Sequence, residues 1–239
     1  MVTGASSGLG AEVARTLAEA GAAVALVARR ADRLAAVAQQ TGGTAFPCDL
    51  SDDEQLDGLI PQVSSTMGPP TILVNVAGDI FSRDPAEREP VEAIRRTMDL
   101  NLVAPFRLCQ DVFPSMSAAG RGAIVNVTSI SGQVGIPGYP QASYAASKHG
   151  LSGLTAELAV QWGRYGIRAN CVAPGFFRSE INDELYQDEQ FQAWLSRNAP
   201  LPGHATFEDF TGAVHWLSSD AARHVTGQTI VVDGGWTVQ

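Results

Sequence analysis

Tyr144 and Lys148 stand four residues apart in "SYAASKHG", Ser143 to Gly150, a run otherwise built of small residues. In an α-helix residues i and i+4 lie one above the other, so a phenol and an ammonium group can share one site. Ala145, Ala146 and Ser147 leave room for a flat ring to lie close to that helix. A free tyrosine, with a pKa of about 10, is a poor proton shuttle at neutral pH, and an adjacent ammonium favours its phenolate. Bringing the phenol to about 7 takes roughly 4 kcal/mol, much of which a close, partly desolvated cation can supply. Lys148 is therefore expected to tune Tyr144, with its remaining N–H groups free for other hydroxyl groups brought into the site. By spacing alone the pair reads as an exposed lysine beside a half-buried tyrosine; Ser129 turns the reading toward chemistry. It closes the apolar run "AIVNVTS" at the carboxyl edge of a strand, where open α/β sheets bind ligands. A hydroxyl there can donate to a carbonyl oxygen as it gains charge, with Thr128 and Ser131 as neighbouring rivals for that role.

These groups need a frame, and the chain's alternation of short β-type runs with longer helical runs supplies one. It predicts an α/β fold, a parallel sheet covered by helices on both faces. The expected strands are Ala23 to Ala28, Thr44 to Cys48, Ile72 to Asn75, Ala123 to Ser129, Ile167 to Ala173 and Thr229 to Asp233. Several are apolar throughout, as strands buried on both faces should be. Helical periodicity covers Ala11 to Gly21, Asp32 to Gly42, the run "EAIRRTMDLNLVAPFRLCQDVF" and the segment from Tyr144 onward. Asp32 is the expected N-cap of its helix, and Gly21 and Gly42 are expected C-caps. With 239 residues and no linker or repeat, a single domain is expected over 1–239. The least regular stretch, about 175–204, reads as a mobile flap over a site. Tyr139 and Trp194 are expected to shape a substrate pocket.

"TGASSGLG", Thr3 to Gly10, stands where a first strand should turn into a first helix. Glycines at 4, 8 and 10 let backbone approach a pyrophosphate, and the helix N-terminus offers unpaired N–H groups and a positive dipole. A nucleotide-binding turn preferring NAD usually carries Asp or Glu at the end of the second strand. Here that strand ends at Ala28, and Arg29 and Arg30 follow. A planar, permanently charged guanidinium suits a phosphate, so Arg29 is expected to pair with the 2′-phosphate of NADP, with Arg30 assisting.

With these motifs in order, the chain resembles the short-chain dehydrogenase/reductase family. The resemblance spans nearly the whole chain: "TGASSGLG", "CDL" (Cys48 to Leu50), "NVAG" (Asn75 to Gly78), "MDLNL" (Met98 to Leu102), "IVNVTSISG", "YAASK", "RANCVAPG" and "VTGQTIVVDGG". It implies a doubly wound Rossmann fold, a nicotinamide cofactor and commonly a tetramer. By resemblance Ser129, Tyr144 and Lys148 are catalytic, joined by Asn101 as holder of a proton-relaying water. The implied cofactor contacts are Gly4, Ser6, Ser7, Gly8, Leu9 and Gly10 in the loop, then Asp49 with Leu50 beside the adenine. Asn75, Ala77 and Gly78 would line the adenosine side. Pro174, Gly175 and Phe177 would flank the nicotinamide, and Ser179 would bond its carboxamide in place of the family's usual threonine. Val76 departs from the family's second asparagine in this motif. Only Met1 and Val2 precede Thr3, whereas strands typically run about 5–6 residues, so the natural chain is expected to begin upstream.

The implied reaction is interconversion of a secondary alcohol and a ketone by hydride transfer, with Tyr144 as proton donor or acceptor. The rival within the family is a 3-oxoacyl-carrier-protein reductase. A net charge of −9 gives poor long-range attraction to acidic carrier proteins, though arginines such as Arg121 and Arg164 could serve locally. The rival from another class is a catalytically silent nucleotide-binding scaffold on the same fold, opposed by the intact Ser129, Tyr144 and Lys148.

The same charge opposes nucleic acid as a partner. Apolar runs fall well short of the roughly 20 residues of a membrane span, and no signal peptide is visible, which favours the cytoplasm. Cys48, Cys109 and Cys171 match no metal spacing and read as reduced core residues. The histidines, His149, His204, His215 and His224, form no ligand motif, so no catalytic metal is expected; His149, a quarter-turn from Lys148, reads as a bystander. Leu154 and Leu158, on other faces of the Tyr144 helix, are expected to need burial in a symmetric oligomer, a homotetramer.

Overall fold

A computed structural model of the chain describes residues 1–178, 185–203 and 205–238. Among the described residues the strands form one seven-stranded sheet in the order β3-β2-β1-β4-β5-β6-β7. These are β1 (Val2–Thr3), β2 (Ala25–Ala28), β3 (Thr44–Pro47), β4 (Ile72–Asn75), β5 (Gly122–Val127), β6 (Ile167–Pro174) and β7 (Thr229–Val232). Every pairing is parallel. The helices are α1 (Gly8–Glu19), α2 (Ala31–Thr41), α3 (Asp53–Met67), α4 (Val91–Met98), α5 (Ala104–Ala119), α6 (Ala142–Trp162), α7 (Glu189–Asn198) and α8 (Phe207–Ser218).

Successive strand residues point to opposite faces, and this splits the core in two. Ala25, Val27, Leu73 and Ile124 pack under α3, α5 and α6, against Leu56, Leu108, Val112 and Leu158. Their neighbours Leu26, Val74 and Val125 face α1, α2 and α8, against Val13, Leu17, Leu34 and Phe210. Strands apolar on both faces are what a doubly wound sheet demands. A third, smaller cluster of aromatic residues, including Tyr139, Phe176, Phe191 and Trp194, lies over the carboxyl end of the sheet.

Four local expectations are corrected. Asp32 is not the N-cap of α2: Arg30 occupies that position without a side-chain cap bond, and Asp32 sits in the first turn, where its charge still suits the helix dipole. β5 stops at Val127, and Ser129 instead opens a short 3-10 turn, Ile130–Gly132, its Oγ accepting from the Ser131 N–H at 3.1 Å. The long periodic run from Glu92 to Phe113 is not one regular helix, because a π-turn over Asp99–Val103 joins α4 to α5. Leu158 is only 3 % exposed within this one chain, so it needs no partner subunit.

Candidate active site

The strand order reverses between β1 and β4, and the crevice at their carboxyl ends is where doubly wound sheets take ligands. Thr3 ties the two strand ends together: its Oγ1 accepts from the N–H groups of Val76 and Ala77, each at 3.1 Å. Side chains have no room between them. Gly4, with φ +67°, would carry a Cβ 3.0 Å from the Ala77 backbone.

A cleft of ≈ 320 Å³ opens over this junction, lined by Gly4, Ser6, Ser7, Gly8, Leu9 and Gly10 of the loop. Arg29 and Arg30 border it after β2, Asp49 and Leu50 after β3, and Ala77 and Gly78 after β4. The first N–H groups of α1, which begins at Gly8, have no partners within their helix. Ser7, in the N-cap position, makes no cap bond; its Oγ accepts from Arg30 Nη2 at 2.6 Å, and Ser6 Oγ from the same nitrogen at 3.3 Å. Arg29 turns toward Asp49, with 3.9 Å between nitrogen and carboxylate oxygen.

A second pocket of ≈ 170 Å³ shares Leu9, Val76 and Gly78 with the cleft and contains Ser129, Tyr144 and Lys148. Pro174, Gly175 and Phe177 complete its wall. Tyr144 and Lys148 do share one face of α6, with Lys148 Nζ 5.7 Å from the centre of the Tyr144 ring. The Lys148 ammonium donates to the Val127 carbonyl at 2.9 Å, at the end of β5. Asn101, on the π-turn, is fully buried, and its Nδ2 donates to the Asp79 carbonyl at 2.9 Å and to Ser147 Oγ at 3.2 Å. Its Oδ1 accepts from the Asp79 N–H at 3.0 Å. Lys148 and Asn101 meet at Gly78, where a Cβ would lie 3.0 Å from Lys148 Nζ and 3.1 Å from Asn101 Oδ1.

A family model described as Enoyl-(Acyl carrier protein) reductase matches residues 4–237. Gluconate 5-dehydrogenase of Gluconobacter oxydans (strain 621H) is 36% identical over 243 residues, covering 100% of this chain and 94% of its own length. The 3-oxoacyl-[acyl-carrier-protein] reductase FabG of Rickettsia bellii (strain RML369-C) is 37% identical over 98% of this chain and 95% of its own. A crystal structure of a gluconate 5-dehydrogenase from Burkholderia cenocepacia J2315, in complex with NADP and tartrate, superposes with a TM-score of 0.93 at 34% identity, over 99% of this chain and 94% of that one. The chain belongs to the short-chain dehydrogenase/reductase family. Its fold is the family's Rossmann type, and like these relatives it is an oxidoreductase.

Against that short-chain dehydrogenase frame, several expectations change. Asn75 does not line the cleft. Strand alternation puts it on the Leu73 side of the sheet, 2 % exposed, where its Nδ2 donates to Asn126 Oδ1 at 2.8 Å. Asn126 in turn donates to Thr155 Oγ1 at 2.9 Å, so a buried polar row crosses under the site. Trp194 stands one layer back from the pocket, its ring centre 5.9 Å from that of Tyr139, which does line it. Ser179 lies outside the described residues, as does His204.

The tuning of Tyr144 also differs. Burial pushes its phenol above the ordinary tyrosine value, while a hydrogen bond with Ser129 and the charge of Arg83 oppose the rise. Burial likewise pulls Lys148 down to about 8, with Cys171 opposing. An ammonium that is itself desolvated cannot lend the full positive charge that tuning a phenol to neutrality requires. His149 Nδ1 lies 2.6 Å from the Gly132 carbonyl, a bond that requires the proton on Nδ1.

Thr3, Gln141 and Arg83 were not foreseen as site residues. Thr3 was legible only as part of the loop motif, and Gln141 and Arg83 lie in irregular segments that periodicity does not reach. Among the described residues no group of three or more His, Cys, Asp or Glu is arranged to hold a metal ion. Among them, too, no helix is long and apolar enough to cross a membrane.

Proposed function

We propose that this chain interconverts a secondary alcohol and a ketone, with NADP as its preferred cofactor. The observation that carries the reading is the gathering of Ser129, Tyr144 and Lys148 in a pocket continuous with the glycine-lined cleft. The cleft fits a dinucleotide: its floor is glycine where a Cβ would collide, and its rim carries a guanidinium held across two loop hydroxyls. The loop and the α1 N-terminus would hold the pyrophosphate, Asp49 and Leu50 the adenine, and Arg30 with Arg29 the 2′-phosphate. Pro174, Gly175 and Phe177 would flank the nicotinamide, with Ser179 on its carboxamide. Bound there, nicotinamide supplies the hydride donor or acceptor.

The chain's own residues manage the oxygen and its proton. Ser129 donates to the substrate oxygen as it gains negative charge. Tyr144, its phenol held above the ordinary value, is protonated at neutral pH and enters reduction as the acid. For oxidation the same phenol must lose its proton, and Lys148, close to half-charged near pH 8, stands next in line. Asn101 braces the Gly78–Asp79 backbone beside Lys148, and by the family likeness it would hold a proton-relaying water there.

The direct test is a panel of ketones and secondary alcohols followed by nicotinamide absorbance. Turnover by the unmodified chain supports the reading, and silence across the panel leaves a scaffold protein. A 3-oxoacyl-carrier-protein reductase remains the second reading, favoured by the similarity to the Rickettsia bellii enzyme; 3-oxoacyl thioesters in the same panel separate the two. We place the chain in the cytoplasm, a reducing compartment that suits its three buried free thiols. We also propose a homotetramer, since Val160 is 81% exposed on α6 and Phe106 38% exposed on α5. The flap expected at about 175–204 includes 179–184 and 204, which lie outside the described residues; its described part would be anchored beside the substrate through Phe176, Tyr186, Phe191 and Trp194 of the aromatic cluster.

A further inference from the structure

The pocket around Tyr144 holds one charged side chain that the proton and oxygen chemistry leaves unused, Arg83. It follows β4, in an irregular segment ahead of α4, and lines the pocket together with Ser129, Ser131, Gln141 and Tyr144. Its charge acts on both Tyr144 and Tyr139, opposing in each the rise that burial causes, while Asp188 at Tyr139 and Asp79 at Tyr144, neither of them in the pocket wall, act the other way. Among the described residues that line this pocket there is no aspartate or glutamate. Apart from Lys148, which the proton chemistry already uses, the rest of the wall is apolar, from Ile80, Ile136 and Phe176, or neutral, with Gln141 Nε2 donating to Ser131 Oγ at 2.9 Å.

Two further observations narrow what such a pocket takes. At ≈ 170 Å³ it falls below the roughly 300–1,000 Å³ of sites for drug-sized ligands, so the substrate is compact. The chain's net charge of −9 repels anions at a distance, so an anionic substrate depends on a cation inside the pocket. Arg83 is also engaged within the protein, and its five N–H donors allow it to serve a protein partner and a pair of substrate oxygens together.

We propose that the substrate is a small hydroxy- or keto-carboxylate, whose carboxylate is held by Arg83 while its carbinol or carbonyl carbon faces Ser129 and Tyr144. This rests on the alcohol–ketone reading above. Arg83 selects the substrate by its charged end and takes no part in moving the proton.

The test uses the full chain, NADP and matched pairs: hydroxy acids with the hydroxyl at successive distances from the carboxylate, each beside its own primary amide. The readout is the acid-to-amide ratio of kcat/KM, followed by nicotinamide absorbance. A charge-assisted pair predicts a ratio of at least about tenfold in the unmodified chain for the pair of correct length. Arg83→Gln is expected to bring that ratio to about one, mainly through the KM of the acid, and Arg83→Lys to keep an intermediate ratio. A ratio near one in the unmodified chain across all pairs overturns the proposal, as does a ratio that Arg83→Gln leaves unchanged. Oxidation of the amides without preference for the acids removes this inference alone. No oxidation of either, with no reduction of neutral ketones, overturns the alcohol–ketone reading and this inference with it.

Discussion

Lys148 Nζ donates to the carbonyl of Val127 at 2.9 Å, which fixes the ammonium of α6 to the end of β5. The bond positions Lys148 beneath Tyr144 and beside Gly78, where the two pockets join. Tyr144→Phe removes only the transferable proton, so turnover is expected to fall by about 10²–10⁴ with nucleotide affinity within a few fold. Lys148→Ala is expected to weaken both. Fluorescence titration with the nucleotide and steady-state rates distinguish the two variants, and near-normal turnover by the phenylalanine variant would refute the assignment.

The direction of proton movement sets the pH dependence. Oxidation needs a base, and the groups available are a phenol raised by burial and a lysine near 8. The kcat/KM for alcohol oxidation should therefore rise with pH through about 8, while ketone reduction, which needs the protonated phenol, should not rise over that range. Parallel pH profiles in the two directions would contradict this.

Lys148 also links stability to pH. Its folded value of about 8 lies below the ordinary 10.5, so between those values the unfolded chain binds the extra proton. Stability from this group is lowest below about 8 and recovers as pH rises toward 10.5. Lys148→Met lacks that dependence. The melting temperature of the variant relative to the parent should be highest at neutral pH and decline toward pH 10.5, a trend that differential scanning calorimetry can follow. A difference constant with pH would exclude the burial penalty.

Arg30 is already oriented by Ser6 and Ser7, whereas Arg29 leans toward Asp49. Both single alanine variants should weaken NADP selectively over NAD. The larger loss is expected for Arg30→Ala, about tenfold or more in affinity, because a pre-oriented fork loses less entropy on meeting a phosphate. Comparable catalytic efficiency with NAD and NADP in the unmodified chain would count against both residues.

Asn75→Ala tests a structural role. It leaves Asn126 Oδ1 without its donor in a buried row, at a cost of about 1–3 kcal/mol, which corresponds to several degrees in melting temperature for a chain of this size. Nucleotide affinity should change little. A selective loss of adenosine affinity at unchanged stability would return Asn75 to the cleft.

What the sequence determined by itself was everything that depends on local geometry. Apolar strands alternating with amphipathic helices require a parallel sheet covered on both faces, and a glycine loop opening a helix requires an anion-binding turn. The i, i+4 spacing requires Tyr144 and Lys148 to share a face. Even the place of Asn75 was implicit there, since alternation from Leu73 carries it to the face away from the loop; the family likeness pointed elsewhere. Tertiary structure decided what depends on residues far apart in the chain. The π-turn that brings Asn101 to Asp79, the choice of Arg30 over Arg29 to span Ser6 and Ser7, and the arrival of Arg83 beside Tyr144 all need contacts across some 20 to 60 positions. The protonation balance of Tyr144 and Lys148 belongs to the same class. Spacing along a helix sets which groups are neighbours, but only the packed chain sets how much water each has lost, and here desolvation outweighs the effects that oppose it, Ser129 and Arg83 at Tyr144 and Cys171 at Lys148.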